Sequence, residues 1–270
     1  VSATLHQIDG NVISTKNFEI TPNGSFSGSI GKIFGEETEL ADGYIKISSS
    51  AYLSGYEIIA TEKSIYAFSA RRILLADRLF APHFIAGAGN DSEIRIMNNS
   101  GEDVQSVVTL MDDSGQTMVS KSVQIGAARL TTLDLAGLLK EKYDLEAGLL
   151  SGSILVEFDH QAEVSGTITM STSGGEAVTA MPLASQGLLD FVFPQVAQSA
   201  DGTIFMGFAI MNPGNQTANA TLSVYNDSGV LTASKQLVLP PLHRITDLLS
   251  GESLFGAGFS QPSGRAGAPR

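Results

Sequence analysis

The chain repeats itself, and that limits its architecture more than any local pattern. Val107-Val108-Thr109-Leu110-Met111-Asp112-Asp113-Ser114-Gly115 aligns without a gap on Thr221-Leu222-Ser223-Val224-Tyr225-Asn226-Asp227-Ser228-Gly229 at an offset of 114. The same offset carries Met97-Asn98 onto Met211-Asn212, Lys121 onto Lys235, Val123 onto Leu237 and Ile125 onto Leu239. A third copy lies 105 residues upstream of the first, with Thr4-Leu5 on Thr109-Leu110, Gly10 on Gly115, Lys16 on Lys121, Phe18 on Val123 and Ile20 on Ile125. Later in the period, Gly43-Tyr44-Ile45-Lys46-Ile47 matches Gly152-Ser153-Ile154-Leu155-Val156, and Leu53-Ser54-Gly55 matches Val164-Ser165-Gly166. A period of 105 to 114 residues is the size of an immunoglobulin-like domain and far longer than a solenoid repeat.

Within one period, short apolar or alternating runs rich in β-branched residues are separated by turn residues. Residues 93–97, 104–111, 117–125, 153–158, 164–170 and 177–183 read as strands, and the proline-containing segment 80–86 makes a seventh. Pro82 and Pro194 hold the same place in their repeats, which suits an edge or first strand where a missing N–H does no harm. Asp112-Asp113-Ser114-Gly115, Asn226-Asp227-Ser228-Gly229 and Ile8-Asp9-Gly10 each fall between two strands, and each ends on a glycine that supplies the positive φ of a short hairpin. Residues 132–143 alone resemble a helix, with Leu135, Leu138 and Leu139 on one face, and 246–249 are their counterpart. The predicted fold is all-β: tandem immunoglobulin-like antiparallel β-sandwich units, the central one complete and the terminal ones partial. The expected boundaries are 1–78 (later strands), 79–191 (a whole unit), 192–258 (early strands) and a flexible tail over 259–270.

Composition narrows the function. A net charge of −12 argues against nucleic acid or an anionic membrane as partner, and no apolar run is long enough to cross a bilayer. Zero cysteines exclude disulfides and thiol chemistry, and 28 glycines fit a chain of many tight turns.

Phe80-Ala81-Pro82-His83-Phe84-Ile85-Ala86, Met97-Asn98-Asn99 and the hairpin Asp113-Ser114-Gly115 resemble a tandem β-sandwich repeat common in large extracellular proteins of bacteria. Val192-Phe193-Pro194-Gln195-Val196-Ala197, Asn212-Pro213 and Gly43-Tyr44-Ile45 match further pieces of that pattern, so the resemblance covers most of residues 4 to 250. It implies a secreted or cell-surface setting and a building-block role, and it carries no catalytic signature.

Chemistry is sparse. His6, His83, His160 and His243 stand far apart without metal-ligand spacing, and Gly24-Ser25-Phe26-Ser27-Gly28 does not make a nucleophile elbow. Gly87-Ala88-Gly89-Asn90 is not followed by the helix that a phosphate cradle needs. Asp112, Asp113 and Asp227 are weak calcium candidates, weighed against the same residues' use in turn geometry. Lys16, Lys121 and Lys235 fall on the same strand face as Phe18, Val123 and Leu237. An internal amide crosslink would need a repeating carboxylate, but Glu57 aligns with Ile168 and Glu157 with Ser48, so lysines at the sheet rim are expected. Asn-x-Ser/Thr triplets begin at Asn23, Asn90, Asn98, Asn215, Asn219 and Asn226 and mark loops where any glycan would sit.

These features predict no enzyme, no catalytic or cofactor-binding residues, and no cofactor. The leading expectation is an extracellular structural or adhesive protein, with self-association or neighbouring repeats as partners. Its expected assembly residues are Phe80, Pro82, Phe84, Val192, Phe193, Pro194, Val196, Phe18 and Ile20, with 12–20 as a mating edge. The incomplete ends would expose strand edges, which suggests head-to-tail strand complementation. Intramolecular closure and excision from a longer array are the alternatives. A carbohydrate- or ligand-binding module of a larger secreted protein, recognising cell-surface glycans, is the competing function; the absence of Trp and the count of six Tyr weaken it.

Overall fold

The computed structural model describes residues 1–35, 42–70, 73–196, 206–256 and 259. The chain is all-β apart from short helical turns. Its spine is one long strand. The expected strands 153–158 and 164–170 are parts of a single 23-residue strand, Leu150–Thr172, and the polar residues Asp159, His160 and Gln161 between them are strand residues exposed where it changes partners.

In chain order the strands are β1 (Ser2–Gln7), β2 (Val12–Asn17), β3 (Gly43–Ser48), β4 (Tyr56–Ala60), β5 (Ile65–Ser69), β6 (Leu74–Ala86), β7 (Asn90–Asn98), β8 (Val104–Met111), β9 (Thr117–Ile125) and β10 (Arg129–Asp134). They continue with β11 (Leu150–Thr172), β12 (Val178–Pro182), β13 (Gly207–Met211), β14 (Ala218–Tyr225), β15 (Leu231–Leu239) and β16 (Arg244–Leu248). Two helical turns matter, α1 (Ile30–Phe34) and α2 (Leu135–Leu139). The helix expected over 132–143 shrinks to α2 because β10 takes the residues before it and Asp134 caps its start, accepting from the Gly137 N–H at 3.0 Å.

The first half of β11 lies between β8 and β6; the second half lies between β7 and β12. The crossing falls where the β6 register breaks between Glu157 and Ala162, a bulge that lets one strand serve two ladders. Ser153-Ile154-Leu155-Val156 are buried consecutively because strands flank both edges and side chains cover both faces; beyond Ala162, buried and less buried residues alternate. Ile94, Ile96, Leu110, Ile125, Leu135, Leu139, Ile168 and Phe84 fill the space between the ladders and are inaccessible. Each contributes about 1.5–3 kcal/mol by leaving water.

The amino-terminal strands form a sheet ordered β2-β1-β3, and β4 pairs with β5. At the repeat offsets this is the order β9-β8-β11, and α1 falls on α2. Its core is small: Ala3, Leu5 and Phe34, with Phe18 and Ile33 against them. In the carboxy-terminal segment β13 pairs with β16 and β14 with β15, around Phe208, Val224, Leu237, Leu239, Leu249 and Leu254. Two expectations about strands change. β6 begins at Leu74, ahead of the strand read over 80–86, and Val192-Phe193-Pro194 is not a strand although its counterpart in β6 is. The tail placed at 259–270 lies outside the described residues except for Phe259, which stacks on Phe255 at 5.0 Å.

Candidate assembly interface

The repeat is visible in individual hydrogen bonds. Asn98, at the end of β7, is fully buried, and its Nδ2 donates to the carbonyls of Glu102, Ile125 and Gly126 at 2.8, 3.1 and 3.1 Å. Asn212 does the same to Gln216, Leu239 and Pro240 at 2.7, 2.9 and 3.1 Å. Each acceptor is displaced by the same 114 residues. These amides fasten the first residue of a tight turn, Gly126-Ala127-Ala128-Arg129 or Pro240-Pro241-Leu242-His243. Each turn closes by its fourth N–H donating to its first carbonyl, at 3.2 and 3.1 Å, with positive φ at Ala128 and Leu242.

Each of those turns receives a hairpin from the segment before it. The tip Gln7-Ile8-Asp9-Gly10 sits on the first turn, where Leu130 N–H donates to the Ile8 carbonyl at 2.9 Å. The tip Asp112-Asp113-Ser114-Gly115 sits on the second, where Arg244 N–H donates to the Asp113 carbonyl at 3.0 Å. Both glycines have positive φ, and both are close against the receiving turn: a Cβ at Gly10 would lie 2.5 Å from the Ala128 carbonyl oxygen, and one at Gly115 3.0 Å from Leu242. The same joint is therefore made twice by equivalent residues, a contact that favours glycine for its conformation at both places and requires it for space at Gly10.

Side chains reinforce the two joints differently. In the first, Tyr44 donates its hydroxyl to the Ala128 carbonyl at 2.8 Å and stacks on His6, while Arg95 bridges Asp42 at 3.0 Å and Glu93 at 2.7 Å. In the second, Arg244 fills the position of Leu130. Its side chain has no exposed surface. Nε donates to Asp113 Oδ1 at 2.6 Å, Nη1 to the Gly152 carbonyl at 2.6 Å, the Pro82 carbonyl at 3.3 Å and His83 Nδ1 at 2.9 Å, and Nη2 to Ser151 Oγ at 2.7 Å. Pro82 and His83 are free to turn toward it because the β6–β11 register breaks beside them. Leu242 packs with Phe80, Met111 and Leu155, which adds an apolar floor.

Burial pulls the His83 imidazole below its ordinary range, the neighbouring Arg244 pulls it further, and Asp113 opposes both. Because Arg244 is the donor, His83 Nδ1 accepts, and the ring is neutral. A depressed imidazole value means that the opened joint binds more protons than the closed one, so stability is complete above about pH 6.5 and declines as pH falls below it. The thermal midpoint of the parent chain should drop between pH 8 and 5.5 by more than that of His83→Asn, whose amide oxygen keeps the acceptor without the titration. Parallel curves would remove His83 from the joint's pH response.

Asn98→Ala should cost about 1–3 kcal/mol by removing the buried amide that ties the carbonyls of Glu102, Ile125 and Gly126 together, against under about 0.5 kcal/mol for Asn99→Ala, whose amide makes one exposed bond to Glu163. Equal, small losses in urea unfolding would show that the amide does not hold the turn.

The residues expected at an assembly surface separate into groups. Phe84 is wholly inside the central core, and Phe80 is buried on the floor of the second joint, so neither is presented to a partner. Pro82 contributes its carbonyl to Arg244. Val192 and Pro194 are exposed, Phe193 meets Phe208 edge-on at 4.7 Å, and Val196 packs on the carboxy-terminal core. Phe18 stacks on Phe26 at 4.3 Å, and Ile20 is half-buried; both follow the end of β2. The acidic hairpins are absorbed by their own turns. Asp112 Oδ1 accepts from Ser114 N, Ser114 Oγ and Gln116 N at 2.9, 2.7 and 2.9 Å. Slight desolvation pushes its carboxyl up, but these bonds outweigh it and hold the group below the usual range. Asp113 is taken by Arg244, and Asp227 accepts weakly from Ser228. Among the described residues no three His, Asp or Glu side chains are grouped to hold a metal. Lys16 and Lys121 are exposed, whereas Lys235 is half-buried and donates to the Leu254 carbonyl at 2.5 Å. Asn98, buried and triply engaged, is no glycan acceptor.

Sequence reasoning missed Arg244. The signal available was the Pro240-Pro241 pair, a turn mark that aligns with Gly126-Ala127 at the 114 offset and would have placed Arg244 one residue beyond a docking turn.

No protein-family model matches the chain, and no curated protein matches it either. Among solved structures, the crystal structure of Thermotoga maritima 1070 is similar at 18% identity and a TM-score of 0.34, over 41% of this chain and 95% of that one.

Proposed function

We propose that this chain is an extracellular or cell-surface structural protein in which tandem β-sandwich units are held at a fixed spacing by a repeated joint. The observation that carries the reading is that equivalent residues make the joint twice: Leu130 N–H to the Ile8 carbonyl and Arg244 N–H to the Asp113 carbonyl, each beneath a hairpin glycine. A linker that allowed free rotation would not reproduce a backbone hydrogen bond at both places. The extracellular setting rests on the resemblance of the Phe80–Ala86 and Met97-Asn98 motifs to bacterial surface repeats, and adhesion belongs to the same reading.

Head-to-tail growth also belongs to it. β1–β2 and β14–β15 are both counterparts of β8–β9, so the terminal segments overlap in content, and a joint that adds whole segments suits them better than an exchange of strands. Spin labels on Ser120→Cys and Ser234→Cys, exposed positions on β9 and β15 of a chain without cysteine, test the stiffness. A single narrow distance distribution is expected. A broad or multiple distribution would end the spacer reading.

A further inference from the structure

Among the described residues, three hairpins and three turns are built alike, and two of each are engaged. The third hairpin is Asn226-Asp227-Ser228-Gly229, closed by Gly229 N–H to the Asn226 carbonyl at 3.0 Å as Gly115 N–H closes on Asp112 at 3.1 Å. Gly229 has the same φ of 75° as Gly115, but a Cβ there would meet no atom within 4 Å. The third turn is Thr21-Pro22-Asn23-Gly24, closed by Gly24 N–H to the Thr21 carbonyl at 2.8 Å, with φ of 61° at Asn23 where Ala128 has 54° and Leu242 has 61°. Pro22 and Asn23 are the residues that such a turn favours at its two central positions. Residues 21–25 are all exposed.

The surface beside the free hairpin is that of an uncovered joint. Met111, just ahead of the second hairpin, is 1% exposed beneath Leu242; Tyr225, its counterpart ahead of the third, is 55% exposed, and Val230 just after the tip is 58% exposed. The position that Met111 fills beneath the second joint is thus held by an aromatic residue standing in water here, with Val230 extending the exposed apolar surface.

We propose that the hairpin Asn226–Gly229 of one molecule docks on the turn Thr21–Gly24 of a second copy of this chain, with Ser25 N–H donating to the Asp227 carbonyl. Ser25 is the residue that the offsets place on Leu130 and Arg244, and Asp227 the one they place on Ile8 and Asp113. Both halves are on every chain, and they are different surfaces. The contact is therefore heterologous and adds copies head to tail. Ser25 is too short to repeat the Arg244 clamp, so this joint depends on the backbone bond, the glycine contact and the cover given to Tyr225 by Pro22 and Asn23. The proposal rests on reading the two internal joints as the working feature of the chain.

The absence of cysteine makes the contact readable by crosslinking. A backbone hydrogen bond brings two Cα atoms within the roughly 4.4–6.8 Å that a disulfide spans. Ser25→Cys and Asp227→Cys chains, mixed under mild oxidation, should give a covalent heterodimer in excess over either chain alone. Adding Gly229→Asn to the Asp227→Cys chain should reduce that product at least tenfold with an unchanged circular dichroism melt, because Asn tolerates positive φ but obstructs the turn. An internal double variant, Ile8→Cys with Leu130→Cys, reports the first joint and should close within one chain. Closure of the internal pair with no heterodimer would overturn docking between copies while leaving the internal joints standing. Failure of the internal pair would remove the joint and the docking together. In a chain carrying both Ser25→Cys and Asp227→Cys, a ladder of oligomers supports growth from copy to copy, whereas a crosslinked monomer would overturn it in favour of self-closure.

Discussion

Gly152→Val should leave the central sheet unable to close, with a loss of more than about 3 kcal/mol and a collapsed yield of folded protein. Gly152 lies on β11 between β8 and β6, and a Cβ built there strikes the Met111 carbonyl oxygen and the ring of Phe84. Neither can yield. The carbonyl belongs to the neighbouring strand, and Phe84 has no exposed surface in a core that is filled around it. The Gly152 carbonyl also receives Arg244 from the carboxy-terminal segment, so displacement of this residue disturbs sheet and joint at once. Urea unfolding followed by circular dichroism measures the effect. A loss below about 1 kcal/mol would mean that the crowding around Gly152 is relieved by small shifts and that the spine is looser than described.

Arg244→Ala should release the carboxy-terminal segment, at a cost of about 2–4 kcal/mol to its docking. The arginine side chain is inaccessible, and its loss takes a donor from the Gly152 and Pro82 carbonyls and leaves the space it filled empty. Asp113 matters less. Its side chain is 66% exposed, so solvent supports the carboxylate when the partner is gone, and Asp113→Asn should cost about 1 kcal/mol or less. Arg244→Lys should not rescue: one ammonium cannot reach Asp113, Gly152, His83 and Ser151 together, as the planar guanidinium does. Hydrogen exchange separates the outcomes, because β13 and β16 should lose protection in Arg244→Ala while β7 and β11 keep theirs. Uniform protection across the chain would show that the segment is held by something other than this arginine.

Some of this organisation was written in the residue order. The hairpin glycines Gly10, Gly115 and Gly229 announced themselves by their place between alternating runs, and the 114-residue offset carried Asn98 onto Asn212 before any contact was known. Other parts were hidden for a definite reason. Asp159-His160-Gln161 has the polarity of a loop, yet it lies inside β11, because a strand passing from one ladder to another is exposed at the crossing and its residues there answer to solvent. α2 was overestimated because Thr132 and Leu133 suit both a helical face and a strand, and the decision went to β7, which offered β10 a backbone partner.

By itself, the sequence determined the all-β character, the repeat and the turns, since these depend on alternation of side chains and on the φ that a few residues accept. Only the tertiary structure decided which hairpin meets which turn and that Arg244 lies beneath Asp113, 131 residues earlier in the chain. That choice is made by surfaces brought together in space, through a glycine with no Cβ and a guanidinium enclosed by carbonyls from two other strands, and no local pattern records it.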